Sequence, residues 1–178
     1  LQELGIDNAS VDKYGYVTAS IPANDPAFEN VPVIAFMAHM DTYPEVSGEN
    51  VVPTFHENYQ GGDIALPNDG VVIKASENPY LAECVGETII TADGTTLLGA
   101  DDKAGVAEIL EAMTRIVENP DFKHGPFKIA FTPDEEVGAG VKYFDVKGFG
   151  ATVAYTMDGG ERGSIENETY CADSAIVK

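Results

Sequence analysis

The chain has 178 residues, 44% of them hydrophobic, which allows one compact domain with a sizeable core and argues against global disorder. Ten Lys and Arg stand against 30 Asp and Glu, and the resulting net charge of −20 repels phosphate backbones and anionic lipid, so roles on nucleic acids or membrane surfaces are disfavoured. No apolar stretch is long enough to span a bilayer, no signal-peptide pattern is present, and Cys84 and Cys171 are lone thiols, which together make a reducing, cytoplasmic location the expectation.

The opening segment, LQELGIDNASVDKYG, reads like the tail of a helix followed by a strand entry, so the natural N-terminus is expected to lie upstream. Tyr14 to Ile21 carries aromatic and β-branched residues and predicts a strand. The three prolines between Pro22 and Pro32 predict a loop. Val33 to Ala38 is a continuous apolar run, the pattern of a strand buried on both faces, and it ends at His39. Residues 43–86, rich in Gly, Pro and Asn, predict a long excursion with short strands and a turn at 58–63. Asp93-Gly94, between ETIITA and Thr95 to Leu98, predicts a hairpin.

From Asp101 the period changes. Val106, Ile109, Leu110, Met113, Ile116 and Val117 recur at three- and four-residue intervals, which predicts an amphipathic helix up to Asn119-Pro120. Pro126 to Thr132 predicts a second buried strand, Gly138 to Phe144 a short helix, and Ala151 to Thr156 a third strand. Strands alternating with helices imply an α/β fold, a mixed, largely parallel sheet flanked by helices.

Each of four acidic clusters directly follows an apolar run. His39-x-Asp41 places two side chains on one face of extended chain, where a carboxylate can hold the tautomer of a ligating imidazole. Asp101-Asp102 opens the helix; one such residue is explained by N-capping, but two in succession also suit a metal site, since one carboxylate can bridge two cations. In Asp134-Glu135-Glu136 one glutamate can bind metal while its neighbour takes a proton from the attacking water. Asp158-Gly159-Gly160 repeats the pattern, with glycines that admit close approach of the backbone. Taken singly, a polar strand end, a solvated loop or a turn explains each cluster; four in this order describe a two-metal hydrolase. His56 and His124 are left over and read as surface histidines.

With HMDT at 39–42, ENYQGGDIAL at 57–66, TLLGADDKAG at 96–105, FTPDEEVG at 131–138 and YTMDGG at 155–160, the chain resembles the co-catalytic zinc peptidase family that includes aminoacylases and glutamate carboxypeptidases, and within it the tripeptide aminopeptidase branch. The resemblance implies a dizinc exopeptidase that acts on small peptides. His39 would bind one zinc, Asp101 would bridge both, Glu136 would bind the second and Asp158 would complete the first. Glu135 would be the general base, Asp41 would orient His39 or its zinc, and the Asp101–Asp102 peptide would be cis.

The family also carries a later zinc-binding histidine, beyond an inserted domain that helps it dimerise and closes over substrate. Residues 1–160 are therefore expected to be part of a catalytic domain, and 161–178 the start of the connection to that inserted domain. No later histidine follows His124, so this chain is expected to keep one zinc site nearly complete, to lack a ligand at the second, and to hydrolyse peptides weakly or not at all. The intact protein is expected to be a homodimer. The shared ligands leave open a relative acting on N-acyl amino acids or C-terminal glutamates. A non-enzymatic acidic domain binding metal or a partner is the reading from another class; no calcium-loop pattern supports it.

Overall fold

The computed structural model describes residues 1–160 and 162–167. Among the described residues nine strands and two α-helices follow in chain order: β1 (Ser10–Val11), β2 (Val17–Ile21), β3 (Ile34–His39), β4 (Pro53–His56), β5 (Ile64–Ala65), β6 (Val72–Ile73), β7 (Ile89–Ala92), α1 (Ala100–Glu118), β8 (Phe127–Thr132), α2 (Val146–Phe149) and β9 (Val153–Thr156). The main sheet has the order β1-β2-β8-β3-β9. β8, β3 and β9 run parallel, while β1 and β2 add an antiparallel flank. This is the expected mixed α/β sheet. Its parallel centre is apolar because the central strands are covered on both faces: Ala35, Ile129 and Ala130 are fully buried.

The periodicity of α1 becomes a packing stripe. Asp102, Gly105, Ile109 and Met113 are its buried positions, spaced by three and four residues. Ile109 and Met113 join Ile6, Ala19, Ile21, Ala38, Ile129 and Phe131 in one core cluster, each large side chain contributing about 1.5–3 kcal/mol through burial. At the N-terminal end of this stripe Gly105 has a particular reason to lack a side chain. A Cβ there would lie 1.9 Å from the Met157 carbonyl oxygen and 2.5 Å from Asp102 Oδ1. The first turn of α1 thus packs backbone against backbone on the chain leaving β9.

Three local expectations are corrected. Asp93-Gly94 does turn the chain, but Thr95 to Leu98 forms no strand, and β7 pairs with β4 across the sequence. The Asp93 carboxylate accepts from Thr95 N and Thr95 Oγ1, and Leu97 N donates to Ser47 O, so the chain is led away from β7 instead of back along it. Residues 138–144 are turns; the helix is α2, begun where the Asp145 side chain accepts from Gly148 N. His124 is not a surface residue: it is buried, its ring stacked on Phe127 at 5.3 Å, with Asn24 paired to its backbone. His56 is half-buried and bonds Thr91 Oγ1. Cys171 and most of 161–178 lie outside the described residues.

Gly105→Ala sets two effects against each other. Alanine gains about 0.8–1 kcal/mol of helix propensity, whereas forcing a methyl into a filled space costs typically about 1–3 kcal/mol. The obstructing atom is a main-chain carbonyl that cannot rotate aside, so the clash should win and the thermal midpoint should fall. A midpoint equal to or above that of the parent would contradict this packing.

Candidate metal centre

The parallel strands β3, β8 and β9 end at the same edge of the sheet, and each hands its chain directly to an acidic segment. Met40 N still donates to Thr132 O, and Met157 N to Met37 O, so the ladder holds these exits side by side one residue beyond the strands. Such carboxyl-terminal edges are where open α/β sheets place their ligands. α1 supplies the fourth component, because its N-terminus abuts the exits of β3 and β9.

His39 is 3% exposed and sits at the centre. Its Nε2 lies 2.9 Å from Asp101 Oδ1 and 3.9 Å from both Asp158 Oδ2 and Glu135 Oε2. Its Nδ1 is 3.1 Å from the main-chain carbonyl of Asp41 and 3.4 Å from Asp41 Oδ1. Ligating atoms of His39, Asp101 and Asp158 all lie within 4.8 Å of one another. Burial alone would push the His39 imidazole down. The hydrogen bond to Asp101 and the charges of Asp158, Asp41 and Asp102 outweigh it, and the imidazole titrates above its ordinary value. A doubly protonated ring explains both contacts at once, with Nδ1–H donating to the Asp41 carbonyl and Nε2–H to Asp101.

The two acidic loops are fastened to this centre by main-chain donors. Asp41 Oδ1 accepts from Glu135 N at 3.1 Å and Asp41 Oδ2 from Glu136 N at 3.0 Å. Asp134, at a φ of +61°, turns the chain so that both amides face the same carboxylate. Asp41 therefore meets His39 at Nδ1, mainly through its carbonyl, while its carboxylate anchors the 135–136 loop. Glu136 is half-buried; burial first, then the charges of Asp101, Glu135 and Asp41, push its carboxyl up against the opposing effect of His39, and it lies outside the His39, Asp101, Asp158 group. Glu135 is exposed.

Asp102 is the participant that the sequence pattern did not single out. The Asp101–Asp102 peptide is cis, as the resemblance implies, and neither residue has helical backbone angles. Asp101 meets the imidazole at the strand ends and is 70% exposed, while Asp102 is 3% exposed beneath them. Asp102 Oδ2 accepts from His39 N at 3.1 Å and Oδ1 from Gly105 N at 3.2 Å. Burial pushes its carboxyl above the usual range, only partly offset by those donors. The capping signal was legible in the sequence; the reach of the second oxygen to another strand was not.

Donor chemistry fits a divalent metal. Two donors each about 2.0–2.2 Å from one zinc stand roughly 3.4 Å apart in a tetrahedral shell, and the 2.9 and 3.9 Å separations around His39 Nε2 bracket that value. One nitrogen with carboxylate oxygens suits zinc better than calcium.

The model of peptidase family M20/M25/M40 matches residues 89–165. Peptidase T of Listeria monocytogenes serotype 4b (strain CLIP80459) is 51% identical over 178 residues, covering 99% of this chain and 43% of the relative. Peptidase T of Clostridium acetobutylicum is 53% identical with the same coverage. Among solved structures, the aminopeptidase PepT from Bacillus cereus ATCC 10987 superposes with a TM-score of 0.62 at 27% identity, over 89% of this chain and 35% of that one. The chain thus spans less than half the length of the curated relatives it matches. With a similar fold, and half-identity along its whole length to proteins named Peptidase T, the chain is similar to peptidase family M20/M25/M40.

Proposed function

We propose that the protein to which this chain belongs is a zinc-dependent aminopeptidase that releases the N-terminal residue of tripeptides. Residues 1–160 are then part of its catalytic domain, and 161–178 lead toward a further domain that takes part in a homodimer. The observation that carries this reading is the convergence of His39, Asp101 and Asp158 at the carboxyl edge of the parallel strands. The Peptidase T relatives supply the substrate class. Among the described residues Cys84 is a free thiol, in agreement with a cytoplasmic location. Among the described residues no helix is long and apolar enough to cross a membrane.

In this reading His39, Asp101 and Asp158 would hold one zinc, and Asp101 with Glu136 would hold a second. Zinc bound there would polarise the scissile carbonyl and bring the pKa of its water toward roughly 7. Glu135, anchored through its own N–H to Asp41 and left with a solvent-facing carboxylate, takes the proton of the attacking water and returns it to the leaving amine. The Asp41 carbonyl holds the Nδ1 proton of His39, so that Nε2 is the nitrogen offered to metal. A catalytic zinc wants about three protein ligands, and among the described residues the second site would have two; His56 and His124 are engaged elsewhere. These 178 residues alone are therefore expected to hydrolyse peptides weakly or not at all.

Calorimetric titration with zinc should give one tight site in the parent chain and none in Asp101→Ala; equal tight binding by the two proteins would refute the ligand assignment. In the full-length protein, Glu135→Gln should lower kcat on a free tripeptide by about 100-fold or more at nearly unchanged zinc content. N-acetylation of the tripeptide should abolish turnover by the unaltered enzyme, and preference for the acetylated form would transfer the activity to the N-acyl class.

A pH dependence follows from His39. Its folded pKa lies above the ordinary value, so its contribution to the stability of the metal-free chain is complete below about pH 6.5 and is lost as pH rises through the folded value. Zinc requires the Nε2 lone pair, so affinity should rise over the same window as stability of the metal-free chain falls. Thermal melts from about pH 6 to 9 should show a downward slope that His39→Gln flattens; parallel slopes in the two proteins would assign the effect to other groups.

A further inference from the structure

We infer that Asp102 is a positioning residue that sets the spacing of the three donors His39, Asp101 and Asp158 by acting through the main chain, without touching metal or substrate. The inference rests on the metal reading given above. Each donor is tied to this one carboxylate. His39 is held through its own amide, which donates to Asp102 Oδ2. Asp101 is its covalent neighbour across the cis peptide. Asp158 is reached through Gly105, whose N–H donates to Asp102 Oδ1 and whose missing side chain lets α1 seat against the carbonyl of Met157, the residue before Asp158.

A helix cap would need only the bond to Gly105. Serine, threonine or asparagine provides that bond equally well, and an exposed cap would avoid the desolvation of a buried carboxylate. The second oxygen does what a cap does not, since it crosses from the helix to the end of β3 and fixes the peptide that carries the buried imidazole. Both oxygens are consumed by amide donors, and the side chain is 3% exposed, so it is directed away from the opening in which Asp101 and Asp158 stand. Loosening this joint should leave the donors present but wrongly spaced.

Asp102→Ser separates the two roles, because a serine hydroxyl retains the cap to Gly105 N and is too short to reach His39 N. The probe is cobalt(II) alone, read by its d–d absorption and by competition with zinc, in the parent chain, Asp102→Ser, Asp102→Asn and the core control Met113→Ala. The expected result is a metal affinity lower by about 10–100-fold in Asp102→Ser, as for other groups that orient ligands, with a weaker, shifted cobalt spectrum. Met113→Ala should melt earlier yet keep the parent spectrum wherever it is folded. If the serine variant does not fold, Asp102→Asn carries the test: its amide can accept from one of the two N–H groups and opposes the other, and about tenfold weaker binding with an altered spectrum is expected. Parent-like affinity and spectrum in the folded serine variant, or in Asp102→Asn where only that protein folds, would overturn the inference while leaving the metal reading intact. A parent chain that binds no cobalt would overturn both.

Discussion

Everything at the functional edge depends on burying one imidazole among carboxylates. His39 is almost wholly removed from water, and Asp41, Asp101, Asp102, Glu135 and Asp158 all approach it through a side-chain oxygen or a main-chain bond. In a chain already carrying a net charge of −20, such a gathering of anions is unfavourable unless positive charge or N–H dipoles are supplied locally. The metal-free molecule supplies them in two ways: the imidazole takes up a proton more readily than usual, and main-chain amides are aimed at the acids from Glu135, Glu136, His39, Gly105 and Gly159. A divalent cation would serve the same electrostatic end more completely.

The fold makes this gathering possible because parallel strands end together. β8, β3 and β9 are neighbours running one way, so segments about ninety and about 120 residues from β3 in sequence become adjacent to it when each leaves the sheet. The long insertion between β3 and α1 does not disturb that edge, since its strands pair among themselves as β4 with β7 and β5 with β6. α1 then returns to the sheet with its polar N-terminus at the edge and its Ile109 and Met113 in the core. A single helix thereby joins stability to chemistry, and the same packing stripe that carries Met113 begins at Asp102.

The parts legible in the sequence were those with a strong period. β3 and β8 are unbroken apolar runs and α1 has a clean three-and-four spacing, so the elements and the acids at their ends could be read directly. Where local and long-range interactions compete, the reading failed. Asp93-Gly94 satisfied the local rule for a hairpin, yet Thr95 was captured by the Asp93 side chain and β7 took a partner more than thirty residues away. His124 looked like a loop residue before Gly125-Pro126, but Phe127 gave its ring a face to stack on and Asn24 closed the backbone around it. Asp102 was legible as a cap and no further, because nothing in a one-dimensional pattern tells which strand a second carboxylate oxygen will meet.

The acids of the centre can be sorted by where their lone pairs are spent. Asp41 and Asp102 each give both oxygens to main-chain amides, one pair on the 135–136 loop and the other between β3 and α1. Asp158 gives one oxygen to Gly159 N and turns the other toward His39, and among the described residues the Asp101 side chain is bonded to the imidazole. Carboxylates that are fully subscribed to the backbone are poor candidates for ligands, since binding a cation would break bonds that hold the loops; those with an unspent oxygen lose nothing by it. On this criterion Asp101 and Asp158 are the acids most open to a cation, while Asp41 and Asp102 hold the surrounding backbone. The adjacency of Asp101 and Asp102 then has a physical meaning: one peptide bond separates the acid that faces the opening from the acid that fastens it, so an error in the second must be transmitted to the first.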